Sequence, residues 1–167
     1  MLLIQITLGT SILLCALVAG LVFTFAIIVM PGIKSLADRD FLRAFVVMDR
    51  VIQNNQPVFI FVWLGSAVSV VALAILGIWQ LDGVNRVIAV FLPAIYLLGV
   101  QLPTFVINIP LNNQLQQLDL DRMSEVELSS ARREFESRWT RWNSIRTVLA
   151  TTVSAGLIFL AFNLASR

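Results

Sequence analysis

Every Lys, Arg, Asp and Glu of this chain lies outside four windows: Met1 to Ile33, Val51 to Leu81, Val87 to Leu118 and Thr147 to Ser166. Each window supplies the roughly 20 apolar residues that an α-helix needs to cross hydrocarbon. At 167 residues, 58% hydrophobic and 13% charged, the chain carries more apolar surface than one soluble core can hide. The pattern predicts an all-α polytopic membrane protein, a four-transmembrane-helix bundle forming one membrane domain over residues 1–167. Spans are expected at about 7–30, 57–80, 87–109 and 144–164.

The first window lacks a basic leader and an Ala-x-Ala-like exit and runs apolar for too long to be a secretory signal, so it reads as a retained span. Cys15 is the only cysteine, which excludes an intramolecular disulfide, and its place inside that span fits a small apolar packing residue. The chain has no His, the commonest general base and metal ligand, so neither a metal nor a cofactor is expected.

Net charge is only +2, but the basic residues are unevenly placed. Lys34, Arg39, Arg43, Arg50, Arg122, Arg132, Arg133, Arg138, Arg141 and Arg146 belong to the first and third loops, against Arg86 and Arg167 on the other side. Short loops rich in Lys and Arg stay cytoplasmic. Loops 32–56 and 110–143 are therefore expected in the cytoplasm and both termini outside, in an integral membrane protein of a bacterial inner membrane. Asp38, Asp40, Asp49, Glu125, Glu127, Glu134 and Glu136 alternate with the arginines and offset their field, which favours contact with the lipid bilayer and argues against nucleic acid.

Span one should stop at Pro31-Gly32 and carries small residues at Ala16, Gly20 and Thr24, a spacing that invites close helix packing. Residues 35–53 mix Leu36, Phe41, Phe45, Val46 and Met48 with charges and read as a cytoplasmic amphipathic helix. Pro57 opens span two, with Asn54, Asn55 and Gln56 available to cap it; Gly65 and Ser69 repeat the small-residue spacing. Trp63 and Trp79 fall near its opposite ends as interfacial aromatics. Asp82-Gly83 makes a tight turn.

Span three contains Pro93 and Pro103, each able to kink it, and ends in Ile109-Pro110-Leu111-Asn112-Asn113. Ser124 and Glu127 form a capping box, with Met123 placed to staple onto Leu128. Leu128, Ala131, Phe135, Trp139 and Trp142 mark one apolar stripe, and with no breaker before Thr147 this segment, 124–143, is expected to be a long cytoplasmic extension of helix four. Arg132–Glu136 and Glu134–Arg138 pairs would stiffen its wet side.

The polar residues of spans three and four converge in depth. Gln101, Thr104 and Asn108 share one face of span three, followed by Asn112 and Asn113, while Trp139, Trp142, Asn143 and Arg146 lie at i, i+3, i+4 and i+7 at the entrance to span four. Together they predict one pocket at the cytoplasmic ends of helices three and four, lined by amide and guanidinium donors and two indoles, with Arg146 paired to Asn108 or Asn113. The competing reading is that the asparagines cap and glue helices while Trp and Arg anchor the interface. Spans one and two read as scaffold.

Ala19-Gly20-Leu21 through Phe25, Val29-Met30-Pro31-Gly32, Pro57-x-Phe59, Asn108-Ile109-Pro110-Leu111-Asn112-Asn113 and Trp139-Thr140-Arg141-Trp142-Asn143-x-x-Arg146 occur in that order. Together they resemble the anthrone oxygenase-like family of small membrane proteins. Where that family often has Asn before the second-span proline, Gln56 stands here. The resemblance implies a four-helix membrane bundle and, as in fungal members of the family, oxidation of an anthrone to an anthraquinone by molecular oxygen without a metal. It casts Arg146, Asn108, Asn112, Asn113 and Asn143 as donors to the substrate anion, and Trp139 with Trp142 as the walls for a flat ring. The base is left open among hydroxide, Glu134 and an Asn-bound water, since no carboxylate lies within the spans.

Three functions fit these observations: binding of an apolar, aromatic or quinone-like small molecule, a cofactor-independent oxygenase, and a small transporter or channel, the last as a homo-oligomer. The charge asymmetry makes a direct prediction. A reporter fused after Arg167 will be found outside the cytoplasm, and a cytoplasmic reporter would overturn the orientation.

Overall fold

The computed structural model describes residues 2–166, and among them every regular element is helical. Five continuous helices form: α1 (Leu2–Ile33), α2 (Asp38–Gln53), α3 (Pro57–Gln80), α4 (Gly83–Gln116) and α5 (Glu125–Ala165). All but α2 are long and apolar enough to span a bilayer, and the protein is an all-α integral membrane protein. The spanning helices run up and down in a ring, with α1 packed on α3 and α5, and α4 packed on the same two.

Two clusters fill the interior. Val18, Val70, Leu73, Tyr96, Val100, Val153, Leu157 and Leu160 form the centre of the bundle. At the basic end, α2 lies across the bundle and buries Phe41, Leu42 and Phe45 against Leu111, Leu115, Leu128, Phe135 and Trp139. This second core holds the first half of α5, whose 41 residues reach roughly 60 Å at 1.5 Å per residue, about twice the hydrocarbon thickness.

The prolines behave differently from expectation. Pro31 does not stop α1, and Ile109-Pro110 does not end α4; both helices continue, to Ile33 and Gln116. The chain instead widens into π turns at Phe25–Val29, Leu97–Gln101 and Thr104–Asn108, each ending two residues before Pro31, Pro103 or Pro110. The amides of Met30, Leu102 and Ile109 bond five residues back, to Phe25, Leu97 and Thr104. A proline ring strikes the carbonyl four residues before it and donates no hydrogen bond, and one wide turn moves that carbonyl aside without breaking the helix. Pro93 sits in α-helix with no such turn.

Several local expectations hold. Gln56 Oε1 caps α3 by accepting from Phe59 N at 2.6 Å, and the Ser124–Glu127 capping box starts α5. Arg132 pairs with Glu136 at 2.9 Å and also with Asp38, whereas Glu134 and Arg138 are not among the ion pairs of the described residues. The stripe of Ala16, Gly20 and Thr24 faces outward and packs no helix of the bundle. Close approach occurs elsewhere: Gly65 meets Leu14, Gly77 meets Ala89, Gly99 meets Leu149 and Gly156 meets Leu92.

A Cβ added at Gly77 would lie 2.7 Å from the Ala89 Cβ, so Gly77→Ala forces α3 and α4 apart. Overpacking of this kind costs about 1–3 kcal/mol, and thermal unfolding in detergent should show a lowered Tm. Gly20→Ala adds its methyl in open space and gains about 1 kcal/mol of helix propensity, so its Tm should hold or rise.

Candidate functional site

A cavity of about 330 Å³ lies between the basic-end halves of the spanning helices. From α4, Thr104, Asn108 and Asn112 enter it at spacings of four residues, and from α5 come Trp139, Asn143 and Arg146. The other walls are Val22 and Phe25 of α1, Asp49 of α2, and Phe59 and Trp63 of α3. Trp139 sits in an aromatic cluster, with ring centroids 5.1 Å from Phe45 and 5.6 Å from Phe25. Across the cavity Phe59 and Trp63 stack at 5.5 Å. The interior thus offers flat apolar surfaces interrupted by a few polar groups, the usual make-up of a small-molecule site.

Those polar groups form two linked sets. Trp139 Nε1 donates to Asn112 Oδ1 at 2.9 Å, and Asn112 Nδ2 donates to Asp49 Oδ1 at 2.7 Å. Asp49 Oδ2 also accepts from Gln116 Nε2 at 2.9 Å and Gln53 Nε2 at 3.2 Å. A carboxylate has about four lone-pair sites, so three amides leave Asp49 able to accept one more donor. In the second set, the Arg146 guanidinium donates to Thr104 Oγ1 at 2.8 Å and Asn143 Oδ1 at 2.9 Å, and Asn143 Nδ2 donates to the Val22 carbonyl at 2.9 Å.

Asp49 at 5% exposed, Arg146 at 4% and Asn108 at 3% are polar cavity residues that are deeply buried. Neither Arg146 nor Asp49 belongs to an ion pair among the described residues. The Arg146 Nε–H has no partner, and neither amide atom of Asn108 has one. Burying a polar group without a hydrogen bond costs free energy, and burying a lone charge costs more. Groups left this way in a cavity are suited to meet a ligand that carries both an acceptor and a donor.

Six of the nine residues singled out in the sequence line the cavity: Thr104, Asn108, Asn112, Trp139, Asn143 and Arg146. Gln101 lies outside it, donating to Ser66 Oγ at 3.2 Å beside the Tyr96 hydroxyl. Asn113 is exposed and accepts from Gln53 Nε2, and Trp142 is half-buried away from the cavity. The second indole is Trp63 instead, a buried wall of the cavity and not an interfacial anchor. The expected Arg146 pairing to Asn108 or Asn113 is replaced by Thr104 and Asn143. Spans one and two are also more than scaffold, since α1 and α3 supply two of the walls.

Asp49 is hard to single out in the sequence because it lies in the amphipathic segment among other charges. One signal pointed to it: Phe41, Phe45 and Asp49 follow at intervals of four, so the carboxylate sits on the buried face of α2.

The anthrone oxygenase family model matches residues 48–156. The chain belongs to the anthrone oxygenase family. The matched stretch holds the cavity residues from Asp49 to Arg146 and leaves outside it Phe45 of α2 and the wall given by α1. Comparison with curated proteins and with solved structures finds no match.

The contrast between Asn108 and Asn143 is testable without a ligand. Asn108→Leu removes two unpartnered atoms and should leave the Tm unchanged or raise it. Asn143→Leu strips a bond from Arg146 and one from Val22, each worth about 1–3 kcal/mol when a buried partner is left behind, and should lower the Tm clearly.

Proposed function

We propose that this protein is a membrane-embedded, cofactor-independent oxygenase that takes an anthrone-like aromatic into the cavity and oxidises its activated methylene to a ketone. The observation that carries this reading is the pair of unbridged buried charges, Asp49 and Arg146, on the walls of one cavity with the unpartnered Asn108. Family membership supplies the reaction class, and the basic end, with α2, is assigned to the cytoplasmic side.

The chemistry needs a base and a stabilised anion. Asp49 accepts one methylene proton, and the electron pair left behind delocalises onto the carbonyl oxygen. Arg146 and Asn108 meet that developing charge with N–H donors that are already buried and oriented, the arrangement in which electrostatic stabilisation is strongest. Trp63, Phe59 and Trp139 hold the ring system flat. Dioxygen then bonds to the electron-rich carbon, taking its electrons by single-electron transfer and recombination. The peroxide anion takes back the proton held by Asp49, and the resulting hydroperoxide loses its remaining methine proton to the freed carboxylate as the O–O bond breaks; the departing hydroxide takes up that proton, leaving one oxygen in the ketone and one in water.

Binding of the same flat ligand without turnover is the second reading, favoured by the three amides already bonded to Asp49. The apolar packing at mid-bundle, where Val70, Leu73, Val153 and Leu157 are buried, favours either reading over a channel.

Anthrone oxidation in air by protein in vesicles, measured against empty vesicles, tests the proposal. Asp49→Asn should lower the rate by about 10²- to 10⁴-fold, as for loss of a general base. Asn108→Leu should lower it by about 10²- to 10³-fold, as for loss of one anion donor. Rates equal to the empty-vesicle control in the wild type would leave binding without turnover.

A further inference from the structure

α2 covers most of the cavity at the basic end, where the exposed Gln53 and Asn55 form its rim, and the cavity also reaches the flank of the bundle. Hydrogen bonds hold α2 there: Gln116 Nε2 donates to the Val46 carbonyl at 3.0 Å and to Asp49, and Gln53 donates to Asn113 at 2.9 Å. Farther along, Arg39 donates to the Leu120 and Met123 carbonyls and pairs with Glu125, and Arg43 pairs with Asp121. Phe45 packs against Trp139 and Phe135.

On the flank, α3 and α4 pack closely along Gly83–Tyr96, where Gly77 meets Ala89. Beyond Tyr96 they diverge, still joined by Gln101, whose amide donates to Ser66 Oγ at 3.2 Å and to the Trp63 carbonyl at 3.4 Å. The two wide turns of α4 pack on α5 instead, with Gly99 against Leu149. The diverging edges, Ile60 and Leu64 of α3 and Phe105 and Ile109 of α4, line the cavity, and Leu64 and Phe105 are each 52% exposed. Leu64 stands seven residues into α3, about 10 Å along the helix, within a stretch free of charge. These side chains therefore face hydrocarbon.

We infer that the seam between α3 and α4 is a lateral entrance, through which a planar aromatic already dissolved in the bilayer slides into the cavity past Leu64 and Phe105. The inference rests on the reading of the cavity as a ligand site. A flat apolar ring concentrates in the membrane, and a route through apolar edges never returns it to water. It meets polar groups only inside, among them Asn108 of α4 and Arg146 of α5. Leu64 and Phe105 thereby select for molecules that partition into lipid.

Trp63, on the cavity wall, reports the route. Its fluorescence is the difference between wild type and Trp63→Phe, and Trp79, exposed on the outer surface, serves as a lipid-facing control through Trp79→Phe. In vesicles of phosphatidylcholine brominated at mid-chain, Trp63 should be quenched, and more so in Leu64→Ala/Phe105→Ala. Water-borne acrylamide should spare it. Quenching by acrylamide but not by brominated lipid would overturn the entrance. If Trp63→Phe fails to fold, Asn108→Cys gives the same information: it should react with a bilayer-dissolved maleimide and resist a membrane-impermeant thiosulfonate, and the reverse order would overturn the entrance.

Adding 9,10-anthraquinone to the vesicles separates this inference from the function. Brominated lipid reaching Trp63 while anthraquinone leaves it bright supports the entrance and removes the ligand reading. Anthraquinone quenching of Trp63 with no effect of brominated lipid keeps the ligand and overturns the entrance.

Discussion

A backbone amide without a partner costs several kcal/mol in hydrocarbon, and the functional half of this molecule follows from how α1 and α4 meet that constraint around proline. Both helices continue through their prolines by widening one turn, so the hydrogen-bond ladder is shifted and not cut. The turns at Phe25–Val29 and Thr104–Asn108 lie toward the basic end and the one at Leu97–Gln101 lies at the middle of α4; Phe25, Thr104 and Asn108 of the first two line the cavity. The cavity is thus lined in part by these local distortions.

Asp49 joins that distorted half to the rest. Its carboxylate ties α2 to α4 through Asn112 and Gln116, and Asn112 passes the connection to Trp139 of α5. Arg146 does the corresponding work about two turns deeper, joining α5 to α4 through Thr104 and, by way of Asn143, to α1. Each charge is partnered by neutral groups only. That is a costly way to stabilise a fold, and it is the arrangement on which the proposed proton removal and anion stabilisation rest.

Four spans, the hairpin at Asp82-Gly83, the amphipathic α2 and the long α5 are all legible in the chain. Their causes are local: apolar length, capping chemistry and charge placement act within a few residues. The stripes of α4 and α5 were legible for the same reason, since helical periodicity places Thr104, Asn108 and Asn112 on one face and Trp139, Asn143 and Arg146 on another. Gln101 and Asn113 share α4 with the cavity residues yet miss the cavity, because its wide turns change which side chains point inward, and Trp142 stands at the edge of the α5 stripe, half-buried outside the cavity.

By itself the sequence determined that this chain is a four-span helical membrane protein with an unequal distribution of charge, because hydrocarbon admits only helices whose length and polarity can be counted along the chain. Tertiary structure alone decided which residues share the site. Asp49 stands 63 residues from Asn112, its hydrogen-bond partner, and 97 residues from Arg146 on the same cavity. No local rule relates positions so far apart. Their meeting depends on how α2 folds back across the bundle and where the wide turns of α4 fall, and both are settled by packing.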